Sequence, residues 1–331
     1  MIDFGVLLSN GLSQLIGLSA IFFALMALGL NMHFGYTGLL NFGQIGFALV
    51  GGYGMGIAVA NYGFPLWVGV LVGMLAGVVL ALLLGIPTLR LRADYLAIVT
   101  IAAAEILRLV ARSVSMTEFT GGTQGLTGFG GAYSDANPFT RPEYSILGLG
   151  FRGPELWTIV VGWIVVGLCV LLTWLLVRSP WGRVLKAIRE DEDAARALGK
   201  NVFAYKMQSL ALGGVFGALG GMIQALGTQA LTPDFYSPTQ TFYAYAALII
   251  GGAGTVLGPV IGAMLFWFVL DITDGFLRQA TAGPDPLISF IDTADVGAIR
   301  FILVGVALAL LMVYRPQGIL GRREEVLLDA R

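Results

Sequence analysis

The chain has 331 residues, is 57% hydrophobic and only 12% charged, and carries a net charge of −1; soluble domains are usually about 25% charged. With a mean hydropathy of +0.83, this excludes an aqueous globular protein. No basic run is present, which excludes a nucleic-acid partner.

Apolar runs of roughly 20 residues, the length that crosses a bilayer core of about 30 Å, recur along the whole chain. Helices satisfy their own backbone hydrogen bonds in lipid. The expected fold is therefore all-α, a polytopic transmembrane helical bundle forming a single domain over residues 1–331. Nine spans are expected, near residues 11–31, 39–60, 65–87, 94–112, 155–177, 207–229, 241–253, 258–277 and 299–314, with the short seventh a candidate broken helix. The start, "MIDFGVLLSNGLSQLIG", has no basic n-region, so the first span is expected to remain uncleaved.

After the first span comes "NMHFGYTGLLNFGQIGF", Asn31 to Phe47, which mixes glycines with polar side chains. Polar, irregular backbone at membrane depth must be buried in protein or face a water-filled cavity. His33, Tyr36, Asn41 and Gln44 are thus candidates for lining or gating a path, and an ordinary loop between spans is the alternative. His33 is the one histidine of the chain, so no multi-histidine metal site can be built.

Four-residue glycine spacing recurs at Gly69, Gly73 and Gly77, at Gly213, Gly217 and Gly221, and at Gly254, Gly258 and Gly262. Such spacing lets a second helix approach closely. In the fourth span, Glu105, Arg108 and Arg112 share a helix face, and Glu105 with Arg108 is a candidate intramembrane ion pair. The segment of about 113–155 is expected to be the longest loop outside the membrane and carries "TGGTQGLTGFGG". It lacks the lysine of a Walker pattern, and it reads either as a docking surface or as a structural loop. Cys169, the one cysteine, is expected to pack as a small apolar residue.

Nine charged residues fall between Arg183 and Lys200. Pro180 suits a helix start, and Val184, Ile188, Ala195, Leu198 and Val202 recur at helical spacing, interrupted at Glu190 to Asp193. The stretch of about 178–206 reads as two short amphipathic helices, with Lys186–Glu190, Arg189–Asp193 and Glu192–Arg196 as four-apart pairs. Further on, "LIIGGAG", Leu248 to Gly254, matches "ALVGGYG", Ala48 to Gly54, in an oppositely directed span. That is the pattern of an inverted repeat. Asp271 and Asp274 are expected in water at the outer end of the eighth span.

Placing the 178–206 loop inside also puts Arg90, Arg92 and the tail "RPQGILGRREEVLLDAR" inside, where most of the basic residues then lie. The positive-inside rule favours this arrangement, with the N-terminus outside and the C-terminus cytoplasmic. No GxSxG, CxxC or HExxH motif occurs, so no enzyme is expected.

Five stretches, "LNMHFGYTGLLNFGQIGFALVGGYG", "LRLRADYLAIVTIAAAEILRLVARS" followed by "TGGTQGLTGF", "SPWGRVLKAIREDEDAARALGKNVFAYK", "IIGGAGTVLGPVIGA" and "RPQGILG", resemble in order the signature blocks of the LivM branch of branched-chain amino acid permeases. The urea permease branch shares much of the pattern. The resemblance implies an inner-membrane permease of an ATP-binding-cassette importer, working by alternating access with a LivH-type homologous permease, two cytoplasmic ATPases and an extracytoplasmic substrate-binding protein. ATP and magnesium would then belong to the ATPases, and this chain would hold no cofactor. "DAARALG", Asp193 to Gly199, resembles the EAAxxxG loop of such permeases, with Asp in place of Glu and without the isoleucine and proline expected downstream. On that likeness Arg189, Glu190, Asp193, Ala195 and Gly199 are expected to contact the ATPases. Branched-chain amino acids are the expected substrate, and urea or a short amide is the alternative. A lone secondary carrier is disfavoured by the scarcity of intramembrane acids, a passive channel by the long charged loop, and a membrane scaffold by the inverted repeat.

Overall fold

The computed structural model describes residues 4–89, 93–141, 143–146, 149–281, 296–315 and 317–321. Arg90, Arg92 and the tail beyond residue 321, which enter the topology argument, lie outside the described residues. The first expected span overlaps α2 (Leu18–Leu30), and the other eight each coincide with one helix: α3 (Gln44–Ala60), α4 (Leu66–Thr88), α5 (Ala93–Arg112), α8 (Gly153–Arg178), α11 (Val202–Thr228), α12 (Thr239–Gly251), α13 (Gly258–Thr281) and α14 (Val296–Tyr314). Helix α1 (Phe4–Ile16) precedes them, α6 (Thr117–Thr120) and α7 (Gly131–Asp135) lie between α5 and α8, and α9 (Pro180–Glu190) and α10 (Glu192–Ala197) follow α8. Five membrane-length apolar helices are found among the described residues, counting the run Leu18–Gly35 as one.

The expected first span, 11–31, is corrected to two helices broken at Gly17, whose ψ of 175° is extended. The break has a partner: the indole Nε1 of Trp163 donates to the carbonyl of Ile16 at 2.9 Å, giving it a partner outside the helix. Helix α1 then packs its Gly11 on α13, where an added Cβ would lie 2.8 Å from Ile272.

Helix α2 is apolar on all sides, and a helix of that kind must be enclosed. Every residue from Ala20 to Leu30 is buried, making α2 the central post of the bundle. Helices α4 and α8 instead turn residues such as Leu75, Leu83, Ile164 and Leu168 outward, as lipid-facing helices do.

The glycine seams pack within the chain. A Cβ on Gly73 would lie 2.5 Å from the carbonyl of Gly51 and 2.8 Å from Met222, so α4 touches both α3 and α11 at backbone distance. Gly213, Gly217 and Gly221 bring α11 against His33, Gln44 and Ala48. The third trio is corrected: Gly254 lies in the turn before α13, so the three do not share one helix face.

Helix α3 packs on α4 in the first half as α12 packs on α13 in the second, a symmetry consistent with the expected inverted repeat. The aligned glycines do not share a local conformation, however. Gly51, Gly52 and Gly54 are all inside α3, whereas Gly251 ends α12 and Gly252 and Gly254 take φ of 108° and 77°. The C-terminal turn closes that end: the backbone N–H groups of Ile319 and Leu320 donate to the carbonyls of Ile250 and Gly251 at 2.9 and 3.0 Å.

The segment after α5 is folded. It contains α6, α7 and a hairpin of β1 (Tyr144–Ile146) and β2 (Leu149–Phe151). Reciprocal bonds of 2.9 Å between Leu126 and Leu231 tie it to the connection after α11. Cys169 is buried in α8.

Candidate functional site

The polar stretch after α2 begins with a π-helical turn, Asn31–Gly35. A wide turn of this kind inside a helix is often a functional feature. It displaces the backbone pairing: Leu39 N–H donates to the carbonyl of His33 at 2.8 Å. An uninterrupted α-helix would have sent that N–H to Gly35. The Gly35 carbonyl accepts instead from Nη1 of Arg189, at the end of α9. Gly38, with φ of 73°, lets the chain turn beneath the same side chain, where a Cβ would lie 3.3 Å from Arg189 Cγ. Arg189 also walls a cavity of about 240 Å³ shared by Thr37, Gly38, Leu89, Glu192 and Lys206.

Asn31 ties the turn to the second half of the chain. Its Nδ2 donates to the carbonyl of Thr255 at 2.7 Å, and its Oδ1 accepts from the N–H of Gly254 at 2.8 Å. Gly35 must be small here, because a Cβ would lie 2.7 Å from the Gly254 nitrogen. Since Gly318 packs on Gly252, four of the five signature stretches meet at one end of the bundle. The remaining one reaches the same loop through Thr100, whose Oγ1 accepts from Phe42 N–H at 3.1 Å.

His33, Asn41 and Gln44 are fully buried and hydrogen-bonded to one another. Asn41 Oδ1 accepts from Gly43 N–H at 2.9 Å, which turns its Nδ2 toward His33 Nδ1 at 3.1 Å and Gln44 Oε1 at 3.0 Å. His33 Nδ1 must then offer its lone pair, so the proton sits on Nε2 and is donated to the Leu210 carbonyl at 3.1 Å. Gln44 Nε2 donates to the Gly213 carbonyl at 2.9 Å, so both side chains grip α11. Tyr36 is 1% exposed, with Lys186 of α9 5.9 Å above its ring.

Between residues 37 and 45 the backbone borrows partners from surrounding helices, as buried irregular backbone must. Tyr245 Oη bonds both the N–H and the carbonyl of Asn41, Thr241 Oγ1 accepts from Ile45 N–H, and Thr37 meets Ser209 at 2.7 Å. Sequence reading missed Thr100, Ser209, Thr241 and Tyr245. Their signal was a polar group inside an apolar span.

In the charged loop, α9 and α10 form as expected, but the four-apart pairs are corrected. The helix breaks at Asp191, whose carboxylate caps α10 by accepting from Ala194 N–H at 2.9 Å. Arg189 and Asp193 are thereby separated, and of the three pairs only Glu192–Arg196 closes among the described residues, at 2.9 Å. Glu192 also pairs with Lys206 of α11. Ala195 is buried with Ile188 and Val202. Glu190, Asp193 and Gly199 are exposed, and Gly199 ends the helix with φ of 76°. Leu198, placed on the apolar face by its spacing, is instead 80% exposed at the loop's tip.

At the opposite end, Glu105 and Arg108 form a two-bonded pair at 2.6 and 2.9 Å. Asp234, in the turn Pro233–Tyr236, joins them at 3.2 Å and reaches Arg112 at 3.5 Å. Asp274 is corrected from a wet residue to a bridge, its side chain 18% exposed between Arg278 at 2.7 Å and Arg300 at 3.0 Å.

Residues 12–293 match the family described as the branched-chain amino acid transport system permease component. The chain is 28% identical to the high-affinity branched-chain amino acid permease LivM of Escherichia coli K12, over 95% of this chain and 71% of that protein. It is 26% identical to the probable LivM of Methanocaldococcus jannaschii, over 90% of each. A nucleoside ABC transporter permease, NupC of Lactococcus lactis, is 27% identical over 60% of this chain and 61% of its own length. No solved structure matches the chain significantly.

Proposed function

This chain belongs to the branched-chain amino acid transport system permease family as an importer permease of the ATP-binding-cassette class, and we propose that its cargo is a branched-chain amino acid. The LivM likeness over nine-tenths or more of the chain supports that substrate. The observation that carries the mechanism is the bond from Arg189 to Gly35. It links the charged helices to the wide turn, and Asn31 links that turn to the second half of the fold.

In this reading α9 and α10 face the cytoplasm, with the C-terminus inside and the N-terminus outside, and two ATPases dock there. Exposed Glu190, Asp193, Leu198 and Gly199 meet them, buried Ala195 sets the angle between the two short helices, and Arg189 carries their displacement into the bundle. His33, Tyr36, Asn41 and Gln44 act as a gate, because shifting the wide turn exchanges the bonds that anchor α3 to α11. A homologous LivH-type permease completes the path, and an extracytoplasmic protein delivers the cargo near the folded segment after α5.

Reconstitution with the partner permease, both ATPases and the binding protein tests the reading. ATP-dependent leucine uptake is the expected result. Uptake of urea or acetamide in its place would overturn the substrate, and leucine flux that persists without ATP would overturn the mechanism.

A further inference from the structure

Helix α5 turns outward a stripe at helical spacing, Tyr95, Ile98, Ala102, Ile106 and Leu109, all of them exposed. On α4 and α8 the exposed stripes are apolar, as lipid requires. On α5 the stripe is flanked by ionisable groups. The Glu105 side chain is 35% exposed, and that of Asp234, which Arg108 and Arg112 both reach, is 59% exposed.

These groups lie deep in the bundle. Ala104, next to Glu105, packs on Gly46, where an added Cβ would lie 3.1 Å from that of Ala104. At a helical rise of 1.5 Å per residue, Gly46 is about 21 Å below the end of α3 at Ala60, well inside a hydrocarbon core of about 30 Å. The connection that carries Asp234 dips to meet α5. Tyr236 Oη sits 2.9 Å from the Cβ position of Gly52, about 12 Å below the same end of α3, and Thr241 in the first turn of α12 accepts from Ile45 N–H. Thr232, Asp234 and Thr239 of this dip are exposed. Ionisable side chains and irregular backbone are tolerated at membrane depth where protein covers them or water reaches them, and not against lipid.

We propose that this face, formed by α5 and the Pro233–Tyr236 turn, is one wall of a water-filled route that a homologous permease closes from the other side. The apolar stripe touches the partner, while Glu105, Asp234 and Thr239 face the water between the two chains. The two carboxylates are matched by Arg108 and Arg112, so the partner has no charge to neutralise here. The face also adjoins the gate, because Thr100 of α5 holds Phe42 N–H. The inference rests on the reading of the chain as an importer permease and assigns the face on which the pair is built.

The assembled importer in lipid nanodiscs, in a Cys169→Ala background, is treated with a charged, lipid-insoluble methanethiosulfonate. Thr239→Cys is expected to react at least about tenfold faster than Ile164→Cys on the outward face of α8, because the reactive thiolate forms in water and not in an apolar setting. Ile98→benzoylphenylalanine, which cross-links on irradiation to whatever covers it, is expected to give a product with the partner permease, and the same change at Ile164 none. If the Ile98 variant fails to assemble, the thiol reaction decides alone. Equal rates at Thr239→Cys and Ile164→Cys, or an Ile98 product with a second copy of this chain or with no protein, would overturn the assignment. A chain that copurifies with no second permease would overturn the importer reading itself. A pair that copurifies while position 98 stays free of the partner overturns this face alone, so the two failures are distinguishable.

Discussion

Arg189 donates to the carbonyl of Gly35, so a side chain of the charged loop holds a backbone group that the wide turn has freed. The two residues are 154 positions apart in sequence, and the contact joins two helices of the loop to the central post of the bundle. A hydrogen bond to a charged donor is worth about 2 kcal/mol. Arg189→Ala should leave the importer assembled while uncoupling it, with leucine uptake per ATP hydrolysed falling severalfold in proteoliposomes. Arg189→Lys, which keeps a donor on a shorter reach, should retain part of the coupling. Unaltered uptake per ATP in the alanine variant would remove Arg189 from the coupling path.

Asn31 satisfies a donor and an acceptor of the turn before α13. Asn31→Leu leaves the part-buried Gly254 N–H and Thr255 C=O without that partner, at a cost below the roughly 1–3 kcal/mol of a fully buried stranded group. Asn31→Asp keeps the acceptor for Gly254 and loses the donor for Thr255. Thermal unfolding in detergent should rank wild type above both variants.

The tip of the charged loop separates contact from architecture. Ala195→Glu places a charge among Ile188 and Val202, so it should lower thermal stability and disorder the loop. Leu198→Asp alters a residue that is 80% exposed and should leave stability within about 0.5 kcal/mol, as exposed substitutions do. Binding of the purified ATPases should nevertheless weaken in Leu198→Asp. Undiminished ATPase binding would move the contact elsewhere.

Arg108 and Arg112 both reach Asp234, at 3.2 and 3.5 Å, yet they should differ in worth. The Arg108 side chain is 14% exposed and also holds Glu105, whereas that of Arg112 is 47% exposed. Arg112→Ala should cost less than about 1 kcal/mol. Arg108→Ala should cost distinctly more, because it leaves Glu105 without its partner. Chemical denaturation of the two single variants provides the comparison.

Gly73 lies where α3, α4 and α11 meet, and a Cβ there would sit 2.5 Å from the Gly51 carbonyl. Gly73→Val should destabilise by at least about 1–3 kcal/mol, as overpacking of a tight core does. Its yield of folded protein should drop well below that of Gly167→Val, at a site with open space around it.

Apart from the break at Gly17, hydropathy alone located the helices expected as spans and the paired charged helices, because both depend on apolar patterns that a single sequence displays. The wide turn at Asn31–Gly35 was not legible, since its residues are compatible with ordinary helix and its partners lie far along the chain. The break at Asp191 was half legible: the apolar pattern stopped there, but only the cap shows that Asp191 belongs to α10 and not to α9. The placement of His33, Asn41 and Gln44 within the bundle was visible as polarity at depth. Their direction was not, because a polar residue facing a path and one gripping a neighbouring helix look alike in sequence. Likewise Asp234 stood in a loop with nothing to mark it as the partner of two arginines in α5.

The break at Gly17 also bears on how the chain is assembled in the membrane. The indole that takes the Ile16 carbonyl belongs to Trp163, 147 positions further on. When α1 and α2 leave the ribosome their stabilising partner has not yet been synthesised, and a continuous apolar helix is the form that best satisfies the backbone in lipid. The bond that takes up the Ile16 carbonyl can therefore form only once α8 has been made, so this support of the bend is acquired late in biogenesis.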